Sequence, residues 1–213
     1  MIIKKFQFNP FPVNTYVVHD EETKACAIID PGCYWNEELD QLMNYVHAYG
    51  LKVKYILHTH LHLDHALATP IVNDIFPDAI CCANEADAFL LENAAQQAKS
   101  YGLTLPAEPI DMEKNIQDGD TIQLGNSTLH VIAVPGHSPG SLCYLDKEGK
   151  AIFVGDVLFK RSIGRTDLPK GNHRDLLNNI KEKLFTLDED ITVYTGHGPE
   201  TTIGEEKNFN PFF

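Results

Sequence analysis

Positive charge is scarce in this 213-residue chain, where 17 lysines and arginines face 30 aspartates and glutamates, a formal net charge of −13. That balance argues against nucleic acid and against an anionic membrane surface, both of which want a basic face. Long apolar runs are missing too: nothing approaches the ~20 residues of a membrane span. The N-terminal stretch MIIKKFQFNPFPVNTY lacks the apolar core of a signal peptide, so a soluble, cytoplasmic protein is expected. Cysteine is sparse and odd in number, five residues with no C-x-x-C pair, which excludes an evident disulfide framework. These cysteines read as small buried residues, with Cys33, just after a DPG turn, the candidate for an exposed thiol. Neither a glycine-rich phosphate loop nor a G-x-S-x-G elbow occurs, leaving a nucleotide-dependent enzyme or a serine hydrolase without support. Linkers, repeats and low-complexity tracts are also lacking, and residues 1–213 read as one domain able to bury a substantial core.

What is present alternates between strands and helices. IIKKFQF, NTYVVH and KACAIID read as three short strands, followed by a helix capped by Asn36. Its Leu39, Leu42, Met43 and Val46 follow helical spacing, and Gly50 ends it. KVKYIL is β-rich, and a helix is expected near residues 66–76, with Pro70 confined to its first turn. AICCA reads as a buried strand, and Asn84 as the cap of a long alanine-rich helix ending by Gly102. In the second half DTIQLG, STLHVIAV, SLCYLD and AIFVG are strand candidates separated by turn residues. A helix near 174–186, the strand ITVYT and a short helix near 202–207 complete the chain. Many strands and few helices in two similar halves predict an α/β fold, an αββα sandwich of two mixed sheets with helices on both outer faces.

Histidine is the anomaly. The chain has ten, and HTHLHLDH packs His58, His60, His62, Asp64 and His65 into one short run. Imidazoles make poor core filler, because each buried ring nitrogen needs a partner. The run follows the strand KYIL. Three other strands end in the same way: HVIAV before His137, AIFV before Asp156, and TVYT before His197. Side chains on loops held by rigid strands are where catalytic sites usually sit. As ligands, His60, His62, His137, Asp64, His65 and His197 form two sets of three, and Asp156 is placed to bridge. Three protein ligands with an open position describe a catalytic rather than a closed structural metal site.

The constellation resembles the metallo-β-lactamase superfamily, whose signature is H-x-H-x-D-H followed by distant His, Asp and His. The likeness runs from NTY and IDPG to TGHGPETTIG, nearly the whole chain. It implies one metal on His60, His62 and His137, a second on Asp64, His65 and His197, Asp156 between them, and His58 left over. Two divalent ions are implied, zinc first, with iron or manganese as alternatives. The flavodiiron branch, which carries an acidic residue at the position of His62, is disfavoured, as is the RNA-processing branch, given the acidic chain. PGHSPGS, GD-x-LF, SIGRTDLP and GHGPETTIGEEKNFNPF resemble glyoxalase II (hydroxyacylglutathione hydrolase) and its short bacterial relatives. Glyoxalase II continues into a helical domain that helps to grip glutathione. Only 13 residues follow Glu200 here, so that part is expected to be missing.

The resemblance therefore implies a dinuclear hydrolase of a small-molecule thioester, in which Asp64 and Asp156 orient an attacking hydroxide. A persulfide dioxygenase with a single iron, whose family members share the GRTD stretch, and a lactonase are the alternatives. Residues 160–174 carry Lys160, Arg161, Arg165, Lys170 and Arg174 against Asp167, a net +4 in an acidic chain. Lys160, Arg161 and above all Arg165 are candidates to bind a substrate carboxylate, because a guanidinium clamps one bidentately. Asp30 is open to two readings, support for the site or a plain turn. Tyr144 and Tyr194 read as core-edge aromatics, and His19, His47, His130 and His173 as strand or surface residues.

Overall fold

The structure, a computed structural model, describes residues 1–92, 94–105 and 112–213. The first half contributes β1 (Ile2–Phe8), β2 (Val13–His19), β3 (Ala25–Ile29), β4 (Lys52–Leu57), β5 (Ile80–Ala83) and β6 (Lys114–Asn115), with α1 (Asn36–Ala48), α2 (Leu63–Ala66), α3 (Thr69–Ile75) and α4 (Ala94–Ser100). The second contributes β7 (Thr121–Leu124), β8 (Ser127–Ala133), β9 (Leu142–Asp146), β10 (Ala151–Gly155), β11 (Leu158–Phe159), β12 (Ser162–Ile163), β13 (Thr192–Thr195) and β14 (Thr201–Thr202), with α5 (His173–Asn179) and α6 (Ile203–Phe209). One six-stranded sheet runs β1-β2-β3-β4-β5-β6, the other β14-β13-β10-β9-β8-β7. Both are mixed: β3 to β6 are parallel beside the antiparallel β1-β2-β3, and β10 pairs parallel with β13 in an otherwise antiparallel sheet.

Alternation along the strands builds the layers. In β2, Tyr16 and Val18 face the second sheet, while Val17 faces α1. The inter-sheet core joins Tyr16, Ile29 and Leu57 to Leu129, Tyr144 and Phe153. Leu42, Val46 and Val72 cover the outer face of the first sheet, and Leu176, Ile180, Leu184 and Ile203 cover that of the second. Central strands buried on both faces explain the nearly continuous apolar runs of ACAII and AIFVG. The αββα sandwich is the expected one.

Several local expectations differ. Trp35, not Asn36, occupies the N-cap of α1, and the Glu38 carboxylate reaches back to accept from the backbone N–H groups of Tyr34 and Asn9, both at 2.8 Å. The helix expected near 66–76 begins earlier and splits into α2 and α3, with Pro70 in the first turn of α3. The early start places Asp64 and His65 on a helical turn. The long helix after Asn84 is instead a 3-10 turn, Glu85–Leu90, followed by α4; residue 93 of that expectation lies outside the described residues. Alanine content favours a helix, but the turn aims the Asp87 side chain inward, where tertiary hydrogen bonds override propensity. The helix near 174–186 is α5 continued by a π turn, Ile180–Leu184. The two-residue strands β6, β11, β12 and β14 are too short to show an alternation. Cys33 is buried rather than exposed, and His19 is buried at the end of β2 against the Tyr45 hydroxyl.

Tyr144 lies deep in the core rather than at its edge, and its hydroxyl donates to the His58 carbonyl at 2.5 Å. It joins the second sheet to the start of the histidine run. Tyr144→Phe strands that buried carbonyl, so urea unfolding should show a loss of about 1–3 kcal/mol.

Candidate metal centre

β4, β8, β10 and β13 each deliver ligand-type residues from their C-terminal ends to one rim of the sandwich. Backbone bonds between the sheets hold the loops together there: Leu142 N–H donates to the Thr59 carbonyl and Asn14 N–H to the Gly196 carbonyl, both at 2.7 Å. Gly155, which carries β10 into Asp156, has φ +52, and a Cβ there would fall 2.6 Å from that of Thr59. Only glycine permits this approach.

His60, His62 and His137 form one cluster, all buried, with a ligand-type nitrogen of each within 4.8 Å of the others. His137 Nε2 lies 2.9 Å from His62 Nδ1 and 3.3 Å from His60 Nε2. The partners of the outer nitrogens assign the inner ones. His137 Nδ1 donates to the Arg165 carbonyl at 2.8 Å, which leaves Nε2 as the nitrogen turned to the cluster. The Thr59 hydroxyl donates to Asp30 Oδ2 at 2.6 Å, and its oxygen accepts from His60 Nδ1 at 3.1 Å, again freeing Nε2. Burial, then the neighbouring His65 and His137, hold His60 well below the usual imidazole pKa. Burial and His137 hold His62 at about 4. Neutral nitrogens with converging lone pairs suit a borderline-soft divalent cation.

The second cluster, Asp64, His65 and His197, adds a carboxylate to two imidazoles. His197 Nε2 lies 3.2 Å from both Asp64 Oδ2 and His65 Nε2. Asp156 stands between the clusters, with Oδ1 3.4 Å from His65 Nε2 and Oδ2 3.8 Å from His137 Nε2 and 3.6 Å from His197 Nε2. Burial opposes ionisation of Asp64 and Asp156, yet the surrounding histidines hold both carboxyls below their ordinary range. The same pairing raises His65 and His197 against the burial that would lower them. Asp156 Oδ1 is buried without a hydrogen-bond partner. An orphaned oxygen on one of two neighbouring ionised acids calls for positive charge, and the seven residues together fit divalent metal ions.

Asp30 resolves to support rather than a plain turn. Its Oδ1 accepts from Thr59 N–H at 2.8 Å, and its Oδ2 accepts from the Thr59 hydroxyl and from His65 Nδ1 at 2.9 Å. It also approaches His60 and His65 closely enough to count as a third cation grouping. Asp30 Oδ2 is already bonded to His65 Nδ1 and His60 Nδ1 to the Thr59 hydroxyl, so this face holds the ligands in orientation. Thr59 and the Arg165 carbonyl have matching roles that the sequence reading missed. A hydroxyl inside the histidine run was the one available signal.

Arg165 comes to the centre through its backbone, while its exposed guanidinium pairs bidentately with Asp167 at 2.7 and 2.8 Å. Arg161 pairs with Glu205 at 2.6 Å and lies over the Phe209 ring. Lys160 is exposed, and Lys170 lies over the Phe89 ring at 3.7 Å. His58 points away from both clusters, buried, with Nε2 3.2 Å from the Thr69 hydroxyl.

The family model of the metallo-beta-lactamase superfamily matches residues 8–197. The chain is 38% identical over its full length to a hydroxyacylglutathione hydrolase, GloC, of Haemophilus influenzae, covering 98% of that protein. Among solved structures it is similar to the B3 metallo-beta-lactamase BLEG-1 (35% identity, TM-score 0.86, 99% of each chain). It is equally similar in fold to TTHA1623 in a di-iron-bound form (33% identity, TM-score 0.86, 99% of this chain and 100% of that one). With four strand ends bringing the superfamily's His and Asp residues to one rim, the chain belongs to the metallo-beta-lactamase superfamily.

Proposed function

We propose that this protein is a dinuclear metal-dependent thioesterase of the hydroxyacylglutathione hydrolase kind, acting on a small-molecule thioester. The observation that carries the reading is the end-to-end match to the Haemophilus influenzae hydroxyacylglutathione hydrolase, combined with two adjoining ligand clusters. His60, His62 and His137 would hold one ion, Asp64, His65 and His197 the other, with Asp156 between them. Ions held there supply Lewis acidity, lowering the pKa of water and polarising a carbonyl oxygen. The protein's own groups do the placing. Asp64 and Asp156, held ionised, present acceptor oxygens that would orient the attacking water. The Asp30, Thr59 and Arg165 carbonyl contacts keep the imidazoles from rotating as charge shifts. Zinc is the first expectation for such a donor set, and the di-iron form of a similar structure keeps iron open. Buried thiols at Cys26, Cys33, Cys82 and Cys143 support a reducing compartment such as the cytoplasm.

Protein purified without added metal is expected to carry about two ions per chain by elemental analysis. His62→Ala or His137→Ala should lose one, His65→Ala or His197→Ala the other, and Asp156→Ala should weaken both. Full occupancy and activity in Asp156→Ala would remove its bridging assignment. His58→Ala is the control and should keep its metal.

The activity test is hydrolysis of a hydroxyacylglutathione thioester, run beside oxygen uptake with glutathione persulfide. Thioester cleavage without oxygen uptake supports the reading. One iron per chain with rapid uptake would make the protein a persulfide dioxygenase, and cleavage of ring esters alone would make it a lactonase.

The cationic loop is the proposed rim for a substrate carboxylate, with Lys160 and Arg161 beside Arg165. A carboxylate at Arg165 must displace Asp167, so the gain is an exchange of exposed partners and modest in size. Arg165→Ala should raise KM for acidic thioesters about three- to ten-fold and leave neutral ones near the wild-type value. Equal losses on both would confine Arg165 to holding the loop.

A further inference from the structure

Besides Asp30, one more buried carboxylate reaches the loops of the centre without belonging to either ligand cluster. Asp87 sits in the 3-10 turn Glu85–Leu90, which Asn84 caps by accepting from Ala86 N–H at 3.0 Å. Its side chain is fully buried and accepts from three donors. Oδ2 takes the Ser138 hydroxyl at 2.7 Å and Leu61 N–H at 3.2 Å, and Oδ1 takes Gly140 N–H at 2.7 Å. All three are donors, so Asp87 meets them as an acceptor only, the hydrogen-bonding role of an ionised carboxylate.

The positions of those donors matter most. Leu61 lies between His60 and His62, and Ser138 follows His137. The two loops come from different sheets, and both bring residues of the three-histidine cluster. None of the Asp87 partners adjoins His197 or Asp156. Asp64 is steadied from elsewhere, its carbonyl accepting from the Asn9 amide at 2.9 Å. Gly140 completes the arrangement: a Cβ there would lie 2.6 Å from Asp87 Cγ, so the bare backbone lets the carboxylate seat. The Ser138 hydroxyl is shared further with Ser141 at 2.8 Å, which extends the brace to the start of β9.

We infer that Asp87 is a positioning residue that sets the spacing of His60 and His62 against His137, and so governs metal affinity at that cluster while leaving the Asp64–His65–His197 cluster alone. The inference rests on the proposed ligand assignment. It is a claim about geometry, since Asp87 touches no ligand atom.

The test is metal competition against a graded chelator, read as two separate dissociation steps in the wild type, Asp87→Asn and Gly140→Ala. Asparagine keeps the shape, but its NH2 must face either the Gly140 N–H or the Leu61 N–H, so one backbone donor loses its acceptor. The expected result is a step for the three-histidine cluster about ten- to a hundred-fold weaker, the usual size for losing an outer support, with the other step unmoved. Gly140→Ala should reproduce that selective loss by displacing the carboxylate, and the double variant should add little to either single one. Equal weakening of both steps, or a fall in thermal stability with both unchanged, would overturn the inference and leave Asp87 a general structural residue. A wild type without two steps, or His62→Ala and His65→Ala losing the same step, would fail the ligand assignment itself and take the inference with it.

Discussion

The buried Asp30 carboxylate binds the Thr59 backbone, the Thr59 hydroxyl and His65 Nδ1 at once, and most of the rim geometry follows from those bonds. Asp30 ends β3 with a left-handed φ of +51, which turns its side chain under the loop that leaves β4. The Thr59 hydroxyl, spent on Asp30, has only acceptor capacity left for His60. His65, spent on Asp30 through Nδ1, has Nε2 left for the centre. One acid thus directs two imidazoles from the side remote from the two clusters, and a charge-assisted bond of this sort contributes about 1.5–3 kcal/mol.

The two clusters differ in electrostatic character while sharing Asp156. In the three-histidine cluster, His60 and His62 are depressed by burial and by the neighbouring imidazoles. The other pairs ionised Asp64 and Asp156 with raised histidines, so positive charge is already demanded there by the protein. A cation taken up at His65 and His197 would have to displace protons, which would tie its affinity to pH, falling as pH drops through the raised histidine pKa values. No such competition operates at His62, whose pKa of about 4 leaves it neutral across the physiological range.

The sandwich explains why such a centre is held so firmly. Each sheet has a helical layer on its outer face, and the core between them reaches the rim through Tyr144 and Leu57. Loops that would otherwise move independently are fastened across sheets by Leu142 to Thr59 and Asn14 to Gly196. Rigid strands with short loops at their C-terminal ends are a sound platform for several ligands that must agree within fractions of an ångström.

The layers of the fold were legible because strand alternation and apolar periodicity are local signals, repeated over several residues in elements such as β7, β8 and α1. The candidate ligands were legible for a similar reason: HTHLHLDH, PGH, GD and GHG place unusual residue types at strand ends. Signals of two residues were not legible, and neither was the 3-10 turn after Asn84, where alanine content pointed to a helix and the inward demand of Asp87 prevailed. Nor could the sequence say which nitrogen of each histidine faces inward, that Arg165 contributes its carbonyl while its guanidinium turns to Asp167, or that Asp30 supports the centre instead of merely ending a strand. Residue types and their periodicity belong to the chain itself. Hydrogen-bond partners 28, 35 or 51 positions apart, as for His137 with Arg165, Asp30 with His65 and Asp87 with Ser138, exist only once the two sheets have packed and burial has made every polar atom find a neighbour.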